Sequence, residues 1–215
     1  MSESITNESL NVHSRNTKFK FSGDGTEYFK IWITNIALTI LTLGVYSAWA
    51  TVRNRQYFYS NTYLADEHFS YLANPIAILK GRVIAVTIFV IYSILITYYP
   101  LAGSIILLLI LLTIPYFVLR SMEFQRRNSA YRGVRFNFEG TLGSSAKVVF
   151  LWPFLSYITV GLLAPLYLVR LNEFAIGNSY LGSTKMNFIA GYRDYAPAFF
   201  GFVFISSLID FMSLV

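Results

Sequence analysis

Val83-Ile84-Ala85-Val86-Thr87-Ile88-Phe89-Val90 opens a run that continues to Leu119, 37 residues without one Asp, Glu, Lys, Arg or His. As a single helix rising about 1.5 Å per residue it would be about 55 Å long, nearly twice a hydrocarbon core of about 30 Å. The run therefore reads as two membrane crossings. The reversal falls at Tyr98-Tyr99-Pro100-Leu101-Ala102-Gly103-Ser104, where proline removes a backbone donor and glycine permits a turn.

The rest of the 215-residue chain agrees with a lipid solvent. It is 55% hydrophobic, 18% aromatic and only 13% charged, which places it in the membrane class. The absence of cysteine excludes a disulfide framework, thiolate metal sites and cysteine nucleophiles. Two histidines, His13 and His68, leave little material for a metal centre or a serine triad, and no nucleophile, base and oxyanion donor can be assembled. The expectation is no enzyme, no cofactor and no metal. The net charge of +6 does not point to nucleic acid, because the basic residues gather at the ends of apolar runs. Residues 1–17 read as a disordered polar tail carrying Glu3 and Glu8, with no apolar core of a cleavable signal peptide.

Three further apolar blocks flank the central run. Ile31 to Val52 and Val148 to Val169 are each uncharged for 22 residues, and Tyr195 to Val215 is apolar except for Asp210. Trp32 and Trp49 near the ends of the first block, 17 residues apart, suit two interfacial belts about 25 Å from each other. Pro153 and Pro165 predict kinks in the block from Val148 to Val169. Five transmembrane segments are the simplest count. Arg53, Arg55, Lys80 and Arg82 precede the central hairpin and Arg120, Arg126, Arg127, Arg132, Arg135 and Lys147 follow it, so both loops are expected on the cytoplasmic side. Strict alternation then leaves Lys18, Lys20 and Lys30, and later Arg170, Lys185 and Arg193, outside. That conflicts with the charge rule.

An offset of 117 residues aligns Phe19, Phe21 and Gly23 with Phe136, Phe138 and Gly140. The same offset aligns Gly44 with Gly161, Arg53 with Arg170, and Asn61, Tyr63 and Leu64 with Asn178, Tyr180 and Leu181. An offset of 50 adds Arg120, Glu123, Phe124, Asn128 and Ser129 against Arg170, Glu173, Phe174, Asn178 and Ser179. The shared unit is R-x-x-[QE]-[FY]-x-x-x-N-[ST], with [FM]-x-[FY] sixteen and eighteen residues past the arginine. Arginine marks a helix leaving the membrane, and the residue three later shares its face. Asn is expected to close the helix in the left-handed conformation, and the alternation beyond it predicts a short β-hairpin.

The Phe-Lys-Phe-Ser-Gly string at 19–23, the Thr42-Leu43-Gly44-Val45-Tyr46-Ser47-Ala48-Trp49-Ala50-Thr51-Val52-Arg53 segment, and Tyr57 with Asn61-Thr62 resemble the YjgN-like family of bacterial inner-membrane proteins, domain of unknown function 898. The resemblance covers about residues 18–188. It implies a multi-pass inner-membrane protein and carries no established activity with it.

The expected fold is thus an all-α membrane protein, a multi-pass helical bundle of about five transmembrane segments with short cytoplasmic β-hairpins and an internal repeat. Residues 18–215 form one membrane domain: repeat one at 19–71, a helical hairpin at 76–119, a repeated hairpin unit at 120–138, repeat two at 136–188 and a last span at 195–215. Arg53, Arg120 and Arg170, with Tyr57, Phe124 and Phe174 beside them, are candidate contacts to lipid phosphates or another anion. The plainer reading makes each arginine a snorkelling anchor paired on its own helix. Gly44 and Gly161 are candidate helix breaks, against close helix packing as the plainer reading. As re-entrant turns they would return the blocks Ile31 to Val52 and Val148 to Val169 to the cytoplasmic side and remove the charge conflict, although about 30 residues between Gly23 and Arg53 are too few for two full crossings. Two functional classes follow. One is a structural or scaffolding component of the bacterial inner membrane whose basic cytoplasmic face contacts membrane lipids, a homo-oligomer or a membrane-protein partner, without nucleic acid. The other is a small transporter or channel built on the repeat.

Overall fold

The computed structural model describes residues 17–213. The polar tail expected over 1–17 lies, apart from Thr17, outside the described residues, as do the last two positions of the span expected over 195–215 and the side chain of Asp210. In chain order the elements are β1 (Phe19–Phe21), α1 (Gly25–Leu41), α2 (Ser47–Ser60), β2 (Thr62–Leu64), β3 (Glu67–Tyr71), α3 (Pro75–Tyr98) and α4 (Pro100–Arg127). Then come β4 (Ser129–Tyr131), β5 (Val134–Phe138), α5 (Leu142–Ile158), α6 (Ala164–Gly177), β6 (Ser179–Leu181), β7 (Thr184–Lys185) and α7 (Tyr192–Ser213).

This is not an all-α bundle of five spans. The seven strands pair in sequence order into one antiparallel sheet, and among the described residues only α3 and α4 are long and apolar enough to cross a membrane. The hairpins do not stand apart because a two-stranded hairpin is marginal in water and its free edge is a row of unpaired donors and acceptors. Each edge is instead filled by the strand at the other end of a helix pair: Phe19 stands opposite Leu64, Phe69 opposite Tyr131 and Phe136 opposite Leu181. The turns at Ala65-Asp66 and Arg132-Gly133 have positive φ at both central residues, the twist that joins adjacent strands tightly.

The two 22-residue blocks do not run straight either. After Leu41 the chain enters a turn in which Leu43 (φ 49°) and Gly44 (φ 91°) are both left-handed, and after Ile158 the same happens at Val160 (φ 50°) and Gly161 (φ 84°). Each turn is closed by a 2.8 Å bond from the glycine N–H, to the Thr39 carbonyl and to the Ser156 carbonyl. The threonine before it, Thr42 or Thr159, accepts from the N–H of the residue four later, at 2.9 and 3.2 Å. The helices therefore fold back, α1 packing on α2 and α5 lying next to α6. Trp32 and Trp49 accordingly sit on two helices of one hairpin. Within α5, a π-turn at Lys147–Leu151 precedes Pro153, whose missing N–H removes a helix bond there.

Because α1, α3, α5 and α7 each leave the sheet, and α2, α4 and α6 each return to it, every described helix has one end at the sheet. At the rise of an α-helix, α1–α2 and α5–α6 reach about 20–25 Å from it, and α3–α4 about 36–42 Å. The returning helices are fastened alike. Asn61, Asn128 and Asn178 have φ of −96°, −97° and −99°, so they are not left-handed as expected; each side-chain amide instead donates to the carbonyl four residues back, at 2.8, 2.7 and 2.9 Å. Thr62, Ser129 and Ser179 cap the next carbonyl through their hydroxyls. Outgoing helices start at Asp24, Asn74 and Thr141, whose side chains accept from the first-turn N–H of Glu27, Ile76 and Ser144. Two apolar clusters, Val52-Tyr71-Ala73 and Leu119-Phe138-Val148-Phe174, lie where sheet meets helices. By contrast α3 buries none of its residues, and 19 residues from Val83 to Phe117 are large hydrophobics at least 39% exposed.

Candidate functional site

A basic band runs along the sheet end of the helices. Counting six residues from each N-cap gives Lys30, Lys80 and Lys147, one lysine on each outgoing helix; Arg53, Arg120 and Arg170 stand on the returning ones. The sequence reading has these lysines only as flanking charges, and their common position shows once the caps set the register. All three arginines are exposed. Arg120 donates to Glu123 at 2.7 Å and its guanidinium lies 5.2 Å from the Tyr116 ring centre; Arg170 donates to Glu173 at 2.6 Å and lies 5.5 Å from that of Trp152. These contacts stay within each arginine's own helix or helix pair.

The aromatic residues four positions on point elsewhere. Tyr57 is buried, its ring 5.4 Å from Tyr28, and its hydroxyl donates to the Asp24 carbonyl at 2.6 Å. Burial pushes this phenol's pKa up. Phe174, 4% exposed, meets Phe138 edge-on at 5.4 Å, and Phe124 packs on the Val52-Tyr71 cluster. Gly44 and Gly161 lie at the far ends of their hairpins, away from the band.

Arg170 and Phe174 line a cavity of about 470 Å³ together with Lys147, Lys185, Glu173 and Trp152. Three cations face one carboxylate there, and that carboxylate already holds Arg170. Guanidinium and ammonium groups against aromatic rings suit the oxygens of an anion. Further basic side chains, absent from the sequence-derived set, stand at the junction of α2 and α3. Arg82 donates to Ser47 and, at 2.8 Å, to Thr51; Arg55 donates to the Tyr71 hydroxyl at 2.8 Å. Among the described residues no group of three or more His, Asp or Glu side chains is placed to hold a metal ion.

The profile of a family described as bacterial protein of unknown function matches residues 16–215. The chain belongs to the DUF898 family. Among the curated relatives of this DUF898 chain is an inner membrane protein YjgN of Salmonella typhimurium, 30% identical over 165 residues, which cover 76% of this chain and 41% of the relative. The protein of that name in Escherichia coli is 32% identical over 149 residues, 66% of this chain and 36% of the relative. The DUF898 chain thus spans about four tenths of the length of these relatives. Their names support a bacterial inner-membrane location and state no activity. No solved structure matches the chain.

Proposed function

We propose that this protein is a structural component of the bacterial inner membrane, assembled from three copies of a β-helix-pair-β unit, whose sheet end faces the cytoplasm and binds anionic lipid headgroups. In this reading α3 and α4 cross the bilayer, while α1–α2 and α5–α6 enter from the cytoplasmic side and return. Leu43 and Val160, 95% and 93% exposed at the hairpin tips, then stand in hydrocarbon. The observation that carries the proposal is the distribution of charge. The sixteen Lys and Arg between 17 and 213 lie in or beside strands, in strand turns, or within seven residues of the sheet-side end of a helix, and among the described residues only Arg120 and Arg170 are ion-paired. This placement also removes the conflict with the charge rule.

A small transporter is the other reading. The largest cavity along α3 and α4, about 770 Å³ and lined almost wholly by apolar side chains such as Ile88, Phe89 and Leu107, suits acyl chains better than a polar path. Detergent-purified protein titrated with phosphatidylglycerol should show a saturable rise in Tm of several degrees that phosphatidylcholine does not reproduce. Equal response to the two lipids would overturn the binding role.

A further inference from the structure

Counting from the N-caps on the outgoing helices and from the Asn exits on the returning ones gives every residue a counterpart in the next unit. At the two junctions between units the cores agree: Val52, Tyr71 and Phe124 at the first correspond to Leu119, Phe138 and Phe174 at the second. Beside this shared core the junctions part. On α2 the first has Ser47, Thr51 and Arg55, where α4 has Ile114, Val118 and Met122. On α4 it has Ser121 and Gln125, where α6 has Leu171 and Ala175. On α3 it has Arg82, where α5 runs through Val148 and Val149. Six polar side chains from three helices thus replace apolar ones at one place. At these six positions the second junction is apolar, so the fold closes there without their hydrogen bonds.

Those substitutions surround a cavity of about 280 Å³, lined by Arg55 and Arg82 with Thr51, Ser121 and Gln125 and by no carboxylate. The partners of its two guanidiniums are neutral: the hydroxyls of Ser47 and Thr51 for Arg82, and the Tyr71 hydroxyl and ring for Arg55. Two half-buried positive charges without a counter-ion are costly, and guanidinium donors left over from those bonds are suited to an anion with several oxygens. The depth is set by the sequence. Arg82 immediately precedes the uncharged run and Ser121 follows Arg120, which ends it, so the cavity sits where the apolar span meets the sheet.

We infer that this junction is a phosphate-binding site, distinct from the Lys147-Arg170 cavity, in which Arg55 and Arg82 hold a phosphate group and Thr51, Ser121 and Gln125 supply neutral hydrogen bonds. Its assignment to headgroup depth rests on the membrane reading proposed above; its chemistry does not. A lipid phosphodiester and free phosphate share that chemistry.

The full chain in phosphatidylcholine nanodiscs is titrated with inorganic phosphate, and nanodiscs containing phosphatidylglycerol are assayed for retained lipid by native mass spectrometry. Binding in the first assay assigns a free phosphate, and retention in the second alone assigns a lipid headgroup. In either case Arg55→Gln with Arg82→Gln should weaken binding at least tenfold, and Lys147→Gln with Arg170→Gln, in the other anion-suited cavity, should weaken it by a clearly smaller factor. Because Arg82 also ties α3 to α2, a second variant transplants the apolar junction: Thr51→Val, Arg55→Met, Arg82→Val, Ser121→Leu and Gln125→Ala. It should keep or raise Tm and lose binding. Absence of binding in both assays, or retained binding in the transplant, overturns the site. Equal loss in the two arginine-containing pairs overturns it too, while leaving the general basic-face reading intact.

Discussion

The Leu72 N–H donates to the Asn128 carbonyl at 2.8 Å, joining the strand end before α3 to the residue that closes α4. Ser22 to Asn61 at 3.0 Å and Glu139 to Asn178 at 2.9 Å do the same for the other two helix pairs. One asparagine thus caps its helix through the side chain and fixes the sheet through the backbone. Asn128→Ala should cost about 1 kcal/mol, the net worth of one such bond, read as a Tm fall of a few degrees in detergent. Asn128→Gly, suited to a left-handed cap that this residue does not adopt, should not recover it.

Two glycines are needed for opposite reasons. A Cβ at Gly44 would meet nothing within 4 Å, so Gly44→Ala should suffer only the left-handed backbone penalty, about 1 kcal/mol. At Gly103 a Cβ would come within 2.5 Å of the Ile96 Cα, which the backbone cannot yield cheaply. Gly103→Leu should push α3 from α4 and destabilise by about 2–3 kcal/mol or more. Parallel thermal melts check the ranking; equal effects at the two sites would contradict it.

Tyr57 gives a pH signature. Its phenol is held neutral by burial, so its folded pKa lies above the unfolded value near 10. The unfolded chain then loses this proton first as pH rises. Its contribution to stability is intact below about pH 10 and declines above it. Tyr57→Phe should lower Tm at pH 8, through loss of the 2.6 Å bond to Asp24, and show a smaller further fall between pH 9 and about pH 11 than the parent protein. Identical slopes would refute the assignment.

Much of this architecture can be read from residues, but only part of it from hydropathy. The central run reads as two spans because its 37 residues hold no charged side chain. The blocks around Gly44 and Gly161 have the same composition, and what distinguishes them is local: Thr42-Leu43-Gly44 and Thr159-Val160-Gly161 replace a continuing helix with two left-handed residues. A window of hydropathy cannot register two dihedral angles. The hairpins are visible in Phe-x-Phe alternation, whereas their union into one sheet depends on edges 45 to 62 residues apart, such as Phe69 and Tyr131. The arginines stood out because they recur. Arg82 does not recur and reads from sequence only as a flanking charge; its meaning depends on the apolar residues at the corresponding place between α4 and α5.

Cysteine accessibility in intact cells tests the central claim, that every strand lies on one side of the membrane, most directly. The chain has no cysteine, so single replacements at Asp66, Ser104, Ser183 and Leu43 can be probed with an impermeant thiol reagent. Labelling at Ser104→Cys alone, with Asp66→Cys and Ser183→Cys reacting only after the membrane is opened and Leu43→Cys resisting throughout, is the expected result. Asp66→Cys and Ser183→Cys reacting from opposite sides would contradict the account.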